Sequence, residues 1–134
     1  MPRATFQKRS PVSKRIYEAI AVQECLLVTS PPILAEVRDV ISRDYIIKYA
    51  HTTPELRARY LADLSAISLH TPGTKALQKG SRDQKDDMFL VCASEAKADY
   101  LVTSDEDLLA LQQYEGTKII PPHEFVTLLD KGQP

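Results

Sequence analysis

Apolar residues recur at two different spacings along this chain, and the spacings predict alternating strands and helices. Three short apolar runs favour strands, at residues 25–29, 100–103 and 118–120. Around them, apolar residues recur every three or four positions, as they do in a helix that buries one face. The six helical faces are Val12, Ile16, Ala19 and Ile20; Ile33, Val37, Val40 and Ile41; Leu56, Tyr60, Leu64 and Ile67; Phe89, Cys92, Ala93 and Ala96; Leu108, Leu109 and Leu111; and Phe125, Leu128 and Leu129. The predicted order is helix, strand, three helices, strand, helix, strand, helix.

Proline and small polar residues mark where these elements begin. Ser30-Pro31, Thr53-Pro54 and Pro121-Pro122 each precede a helical pattern, and proline is well tolerated in the first turn of a helix. The polar stretch at 80–84 predicts a loop, with a helix beginning at residue 85 or 86. Because each predicted strand is short, apolar and followed by a helix, the pattern favours an α/β fold with a parallel sheet covered by helices.

Size and composition indicate one folded domain that spans residues 1–134. The chain has 134 residues, of which 43% are hydrophobic, so two separate cores would each be close to the lower limit for independent folding. The 17 basic and 18 acidic residues nearly cancel. This balance excludes binding driven by bulk positive charge and leaves room only for a local basic patch.

The two cysteines and the N-terminus predict a cytoplasmic protein. Cys25 and Cys92 each lie inside an apolar run, without the C-x-x-C spacing of a redox or zinc motif, and are interpreted as small buried hydrophobes. The first residues contain no apolar segment of signal-peptide length, and no apolar run is long enough to cross a bilayer. We therefore expect a reducing compartment and no membrane partner.

Acidic residues stand where the predicted helices meet the carboxyl edge of the sheet, the edge at which open α/β sheets bind ligands. Asp105 and Asp107 follow the second predicted strand, and Asp87 lies in the first turn of the helix before it. Glu36 lies in the second turn of the helix that follows the first strand. Because helical side chains lean toward the helix N-terminus, the Glu36 carboxylate can reach the same edge.

Each acid also has an ordinary structural interpretation. Ser104 and Asp107 form a capping-box pattern, and acids in a first turn suit the helix dipole. Asp83 and Asp86 are interpreted as a solvated loop residue and an N-cap. Glu36 alone resembles any exposed helical glutamate.

Taken together, the acids Glu36, Asp87 and Asp105, which stand at three separate junctions between strands and helices, predict a site for a divalent cation. Carboxylates that approach one another raise each other's pKa unless a cation lies between them. Mg²⁺ prefers oxygen ligands and commonly binds one or two carboxylates together with a substrate phosphate. His51, His70 and His123 are scattered along the chain and do not indicate a zinc site.

Three segments, Leu26–Val37, Arg82–Leu90 and Ala98–Leu109, resemble PIN-domain proteins. The resemblance is greatest to the toxin components of prokaryotic type II toxin–antitoxin systems (VapC-like), and it runs from about Ser10 to Leu129. It implies a three-layer α/β/α sandwich with metal-dependent endoribonuclease activity that uses Mg²⁺ or Mn²⁺. It also implies RNA as the substrate and an antitoxin protein that blocks the site.

Carried over by position, the resemblance assigns catalytic and metal-binding roles to Glu36, Asp87 and Asp105, with Asp107 as an accessory metal ligand. A cation held there would lower the pKa of an attacking water and stabilise charge on the leaving oxygen. Arg82 and Lys85 precede Asp87 in the chain and are the candidate RNA-binding residues.

The family's first strand normally ends in Asp-Thr-Asn or Asp-Thr-Ser, and nothing before Ser10 matches that motif. We therefore expect a sheet without its N-terminal strand and a site without that Asp, either because the chain as given starts late or because it is a degenerate member. Three functions stay open: a toxin ribonuclease, a non-catalytic PIN-like protein that binds an antitoxin or RNA, and a plain α/β domain whose acids are caps. The apolar residues between Tyr45 and Tyr49 predict either core packing or a homodimer or antitoxin surface.

Overall fold

A mostly parallel sheet forms the centre of the computed structural model, which describes residues 2–6, 14–43, 53–77 and 86–132. Six strands are present in these ranges: β1 Arg3–Phe6, β2 Leu26–Thr29, β3 Leu69–His70, β4 Tyr100–Val102, β5 Gln113–Tyr114 and β6 Thr117–Ile120. Their order across the sheet is β3-β2-β1-β4-β6-β5. All neighbouring pairs are parallel except β5 with β6, which form an antiparallel hairpin at one edge.

Helices connect the strands, as the alternating pattern predicts. The described helices are α1 Lys14–Ala21, α2 Pro31–Ile41, α3 Pro54–Ile67, α4 Asp87–Ala96, α5 Glu106–Leu109 and α6 Pro122–Asp130. The Thr53 hydroxyl caps α3 by accepting a hydrogen bond of 3.1 Å from the backbone N–H of Leu56, the role of a preferred N-cap residue. The proline-marked starts of α2, α3 and α6 are confirmed.

The expectation that the sheet lacks its N-terminal strand is wrong. Residues Arg3–Phe6 form β1 in the middle of the sheet, where Ala4 lies beside Leu27 of β2 and Tyr100 of β4. Four residues that begin with an exposed Arg carry too little alternation to predict a strand. Partners on both sides supply the backbone hydrogen bonds that make this segment a strand.

Two apolar cores lie on opposite faces of the sheet and make the fold a three-layer α/β/α sandwich, as the resemblance implies. One core joins the sheet to α2, α4 and α5: Val28, Ile33, Val37, Phe89, Leu90, Cys92, Ala93, Ala98, Leu101, Leu108 and Ile119. The other joins it to α1 and α6: Ala4, Ile16, Ala19, Cys25, Tyr100, Val102, Ile120, Phe125 and Leu129. Alternate residues of each central strand enter opposite cores, as the pleat requires.

The structure confirms the interpretation of the cysteines. Cys25 and Cys92 are both free and buried, one in each core. Within the described ranges, no helix combines the length and the apolar character that crossing a membrane would need.

Candidate functional site

The sheet reverses its winding direction between β1 and β4. From β1 the chain moves outward through β2 to β3 on one side, whereas β4 and β6 lie on the other side. Phe6 and Val102, the last residues of β1 and β4, are register partners, so both strands end at the same level. In open α/β sheets the ligand crevice lies outside the carboxyl ends of the strands at this point of reversal.

Asp105 follows β4 at this edge and is held by backbone hydrogen bonds. Its Oδ1 atom accepts from the backbone N–H groups of Asp107 at 2.8 Å and Leu108 at 3.3 Å. Its own N–H donates to the hydroxyl of buried Thr103 at 3.0 Å. Asp105 is therefore the N-cap of α5; the expectation of a Ser104 cap is wrong, because the helix begins one residue later.

Helix α4 brings two consecutive acids to the same edge. Its last turn lies at the amino edge of the sheet, where the Arg3 guanidinium donates to the carbonyl of Ala96 at 3.2 Å and the backbone N–H of Asp99 donates to the carbonyl of Arg3 at 2.8 Å. Its first turn, with Asp86 and Asp87, therefore lies toward the carboxyl edge. Asp87 is half-buried, whereas Asp86 is only 1% exposed.

Helix α2 starts at the carboxyl edge of β2. Ser30 directly follows that strand, is fully buried, and makes no side-chain hydrogen bond to cap the helix. Glu36 lies in the second turn of α2 and is half-buried. Gly73, after β3, packs against this start with a φ of +75°; a Cβ there would lie 2.8 Å from Cδ of Pro32, so only glycine fits this approach.

The donor chemistry of this edge fits a hard divalent cation. Each of the three junctions contributes carboxylate oxygens, which are the ligands that Mg²⁺ and Mn²⁺ prefer. Within the ranges that the structure describes, however, no group of three or more His, Cys, Asp or Glu side chains is close enough together to hold a metal ion. The acids thus share one edge of the sheet without forming a ready-made ligand set.

A family model for the PIN domain matches residues 4–107 of the chain. The match begins in β1 and ends in α5, so it includes the whole reversal point of the sheet. This chain belongs to the PIN-domain family. No curated protein and no solved structure gives a significant match to it.

All four acids of the predicted site lie inside the segment matched to the PIN domain: Glu36, Asp87, Asp105 and Asp107. The structure places each of them at or near the first turns of a helix on the carboxyl side of the sheet. The family's acid at the end of the first strand has no counterpart, because β1 ends at Phe6 and Gln7-Lys8-Arg9-Ser10 follows.

The two candidate RNA-binding residues, Arg82 and Lys85, lie outside the described ranges. Asp83 and the apolar residues between Tyr45 and Tyr49 lie outside them as well. Among the described basic residues, Arg15 on α1 is held in ion pairs of 2.9 Å with Glu24 and with Asp130. Hydrogen bonds to Glu24 and then Asp130 hold the pKa of this guanidinium above its ordinary value, and its charge serves to join α1 to α6.

The burial of Asp86 and Ser30 is not predicted by the sequence. Asp86 occupies the N-cap position of α4, as interpreted, but it is buried and makes no side-chain cap hydrogen bond. Ser30 precedes α2, as its pairing with Pro31 predicts, and is fully buried. The adjacent pair Asp86-Asp87 is the sequence feature that could have pointed to a buried acid here. Periodicity alone, however, does not tell which of two adjacent residues faces inward at the end of a helix.

Proposed function

We propose that this chain is a metal-dependent endoribonuclease and the toxin component of a toxin–antitoxin pair. Membership of the PIN-domain family indicates nuclease-type function in general. The observation that supports the proposal is that three acid-bearing junctions lie on the carboxyl side of one sheet, which reverses its strand order between β1 and β4. RNA is the proposed substrate, and a cognate antitoxin protein and a second copy of the chain are the proposed partners.

Glu36, Asp87 and Asp105 would hold the cation, Mg²⁺ or Mn²⁺, with Asp107 as an accessory ligand. When bound, such a cation lowers the pKa of a water molecule and stabilises charge on a leaving oxygen. The backbone bonds to Asp105 Oδ1 fix the orientation of that carboxylate, and a fixed orientation lowers the entropic cost of binding. Arg82 and Lys85, just before Asp87 in the chain, would attract the phosphate backbone of RNA. Half-buried Glu36 and Asp87 retain the solvent access that a cation arriving from solution needs.

A second candidate is a non-catalytic PIN-domain protein that binds RNA or an antitoxin. One observation favours it: β1 ends at Phe6, and neither the strand nor Gln7-Lys8-Arg9-Ser10 supplies a carboxylate. A site with one ligand fewer binds its cation more weakly. This candidate retains the RNA-binding residues and loses hydrolysis.

Cleavage of a mixed-sequence RNA separates the two candidates. The first predicts cleavage that requires Mg²⁺ or Mn²⁺, stops with a chelator, and is lost in Asp87→Asn and in Asp105→Asn. Glu106→Gln is the matched control, because Glu106 is the exposed neighbour of Asp105 on α5 and should cleave as the wild type does. Calorimetric titration with Mn²⁺ should show a site in the wild type that both Asn variants weaken.

The remaining outcomes each decide against one candidate. Cleavage unchanged in both Asn variants would contradict the site assignment. RNA retention without cleavage and without heat of Mn²⁺ binding would establish the non-catalytic alternative. For the toxin role, expression in a bacterial host should arrest growth, and Asp105→Asn should relieve that arrest; uninhibited growth with wild-type protein would contradict it.

A further inference from the structure

A cleft of about 440 Å³ opens between the connection from α4 to β4 and the hairpin of β5 and β6. Strands β4 and β6 are parallel neighbours that begin at Tyr100 and Thr117, so the cleft lies at the amino edge of the sheet, opposite the edge that bears Asp105. Its volume is typical of sites for small molecules. The cleft is lined by Lys75, Ser94, Lys97, Asp99, Glu115 and Gly116.

Two charged residues of the cleft occupy backbone positions that favour glycine. Lys97 directly follows α4 and has a φ of +50°, and Glu115 is the first residue of the two-residue turn between β5 and β6 and has a φ of +46°. Glycine is the usual residue in the left-handed conformation after a helix, and glycine or asparagine is usual in such a hairpin turn. A residue with a Cβ atom is strained in this conformation. Strained backbone concentrates at ligand-binding sites, and both of these strained residues line the same cleft.

Hydrogen bonds join the two walls of the cleft. The Thr117 hydroxyl of the hairpin donates to the carbonyl of Ala98 at 2.8 Å. The backbone N–H of Lys118 donates to the carbonyl of Asp99 at 3.0 Å. The cleft is therefore formed before any ligand arrives, and a preformed site avoids the cost of ordering loops on binding.

The floor of the cleft is a network of three polar side chains. Ser94 is only 8% exposed; its hydroxyl donates to the Glu115 carboxylate and accepts from the Lys75 ammonium group. Lys75 and Glu115 also form an ion pair of 3.3 Å. Hydrogen bonds from Ser94 and then from Lys75 hold the pKa of the Glu115 carboxyl below its ordinary value, so Glu115 is charged at neutral pH.

The cleft presents both signs of charge to solvent. Lys75 and Lys97 are positive, whereas Asp99 and Glu115 are negative. Lys97 is exposed and forms no ion pair within the described ranges. Asp99 is also exposed, and it accepts a hydrogen bond of 2.8 Å from the uncharged backbone N–H of Arg3, which leaves its charge in place. A ligand of one sign would be repelled by two of these four groups, whereas a ligand with both signs can be attracted by all of them.

We propose that this cleft binds a free α-amino acid in its zwitterionic form. The carboxylate of the amino acid pairs with the Lys97 ammonium group, and its own ammonium group pairs with the carboxylates of Asp99 and Glu115. Its side chain lies over Gly116, where a Cβ atom built on the glycine would find open space. The cleft is at the opposite edge of the sheet from the acids, and its ligand does not depend on nuclease activity.

Thermal unfolding of the full chain, measured with each standard amino acid in turn, identifies the ligand. A ligand that binds only the folded state raises the melting temperature as its concentration rises. Calorimetric titration with the amino acid of largest effect then gives its dissociation constant. The matching amine, which lacks the carboxylate, and the N-acetyl derivative, which lacks the ammonium group, should each bind at least about tenfold more weakly, because each loses one charged contact.

Lys97→Gly separates binding from folding. Glycine adopts the left-handed conformation freely, so this variant should unfold at the wild-type temperature or higher, yet bind the amino acid at least about tenfold more weakly. Asp99→Asn removes a carboxylate that receives the ligand's ammonium group and should also weaken binding. Lys131→Ala is the control, because Lys131 is exposed at the end of α6 and does not line the cleft; it should bind as the wild type does.

Any of three results would overturn the proposal. The first is that no amino acid raises the melting temperature of the wild type by more than it raises that of Lys97→Gly; this comparison is needed because excluded solutes stabilise folded proteins without a site. The second is that the amine and the N-acetyl derivative bind as tightly as the amino acid. The third is wild-type affinity in both Lys97→Gly and Asp99→Asn.

Discussion

Asp105 caps α5 by accepting a hydrogen bond of 2.8 Å at Oδ1 from the backbone N–H of Asp107. The same carboxylate is the acid that follows β4 at the reversal point of the sheet. One side chain thus has a structural role and a proposed metal-binding role. The two can be separated, because asparagine retains the cap but loses the charge.

Asp105→Ala should lower the free energy of unfolding by about 1 kcal/mol, since it removes the N-cap acceptor of α5. Asp105→Asn should leave the free energy of unfolding nearly unchanged. Urea denaturation followed by circular dichroism measures both. An alanine variant as stable as the wild type would show that the cap contributes nothing.

Glu95→Gln should destabilise the protein by about 1–2 kcal/mol. The Glu95 carboxylate accepts three backbone hydrogen bonds, from Gly73 at 2.7 Å, Thr74 at 3.0 Å and Lys75 at 3.2 Å, and so fastens the loop after β3 to α4. The Gln amide group has one acceptor oxygen and would turn its NH₂ toward one or more of these donors. Glu124→Gln, at an exposed position on α6, is the control for denaturant unfolding.

The Glu95 contribution should depend on pH in one direction. Desolvation raises the pKa of this carboxyl, but the hydrogen bonds from the Thr71 hydroxyl and the loop N–H groups outweigh it and leave the pKa below its ordinary value of 4.5. A lowered pKa stabilises the folded state above that value, and this stabilisation is lost as pH falls through the lowered pKa. The stability difference between wild type and Glu95→Gln should therefore be full at neutral pH and shrink in acid; a difference that grows in acid would refute this account.

Phe125→Ala should cost about 3–5 kcal/mol. The Phe125 ring is fully buried and makes edge-to-face contacts with Phe6 and Tyr100, with ring centroids 5.6 Å apart in each pair. It thereby joins α6 to the two strands at the reversal point. The matched control is Val22→Ala, at a side chain 66% exposed, which should change the unfolding free energy by less than about 0.5 kcal/mol. Similar losses in the two variants would contradict the packing described here.

Both thiols should react with a chromogenic disulfide reagent only after unfolding. Cys25 and Cys92 are buried, and burial raises the pKa of the Cys25 thiol to about 11 and also raises that of Cys92. A thiol with a raised pKa has little reactive thiolate at neutral pH. Rapid reaction of either cysteine in native buffer, compared with the same protein in denaturant, would show that its core is open.

Helical elements and the three apolar strands could be predicted because their signals are local. The Thr53-Pro54 pair fixes the start of α3, and the 3-4 spacing over Leu56–Ile67 follows the helix to its end. The runs at Leu26–Val28 and Tyr100–Val102 are apolar throughout. Strands β1, β3 and β5 were missed. Strands β3 and β5 have two residues each and β1 begins with an exposed Arg, so none of the three contains an apolar run, and they become strands through the hydrogen bonds of their neighbours.

The sequence by itself determined which acidic residues stand at the junctions between strands and helices: Glu36 after β2, Asp87 at the start of α4, and Asp105 after β4. Only the tertiary structure decided that β1 lies between β2 and β4, that Asp86 is the buried member of its tandem, and that Asp105 is a helix cap. The reason is physical. Spacing along the chain sets which side of an element a residue occupies, whereas burial and hydrogen-bond partners depend on elements that pack together from distant parts of the chain.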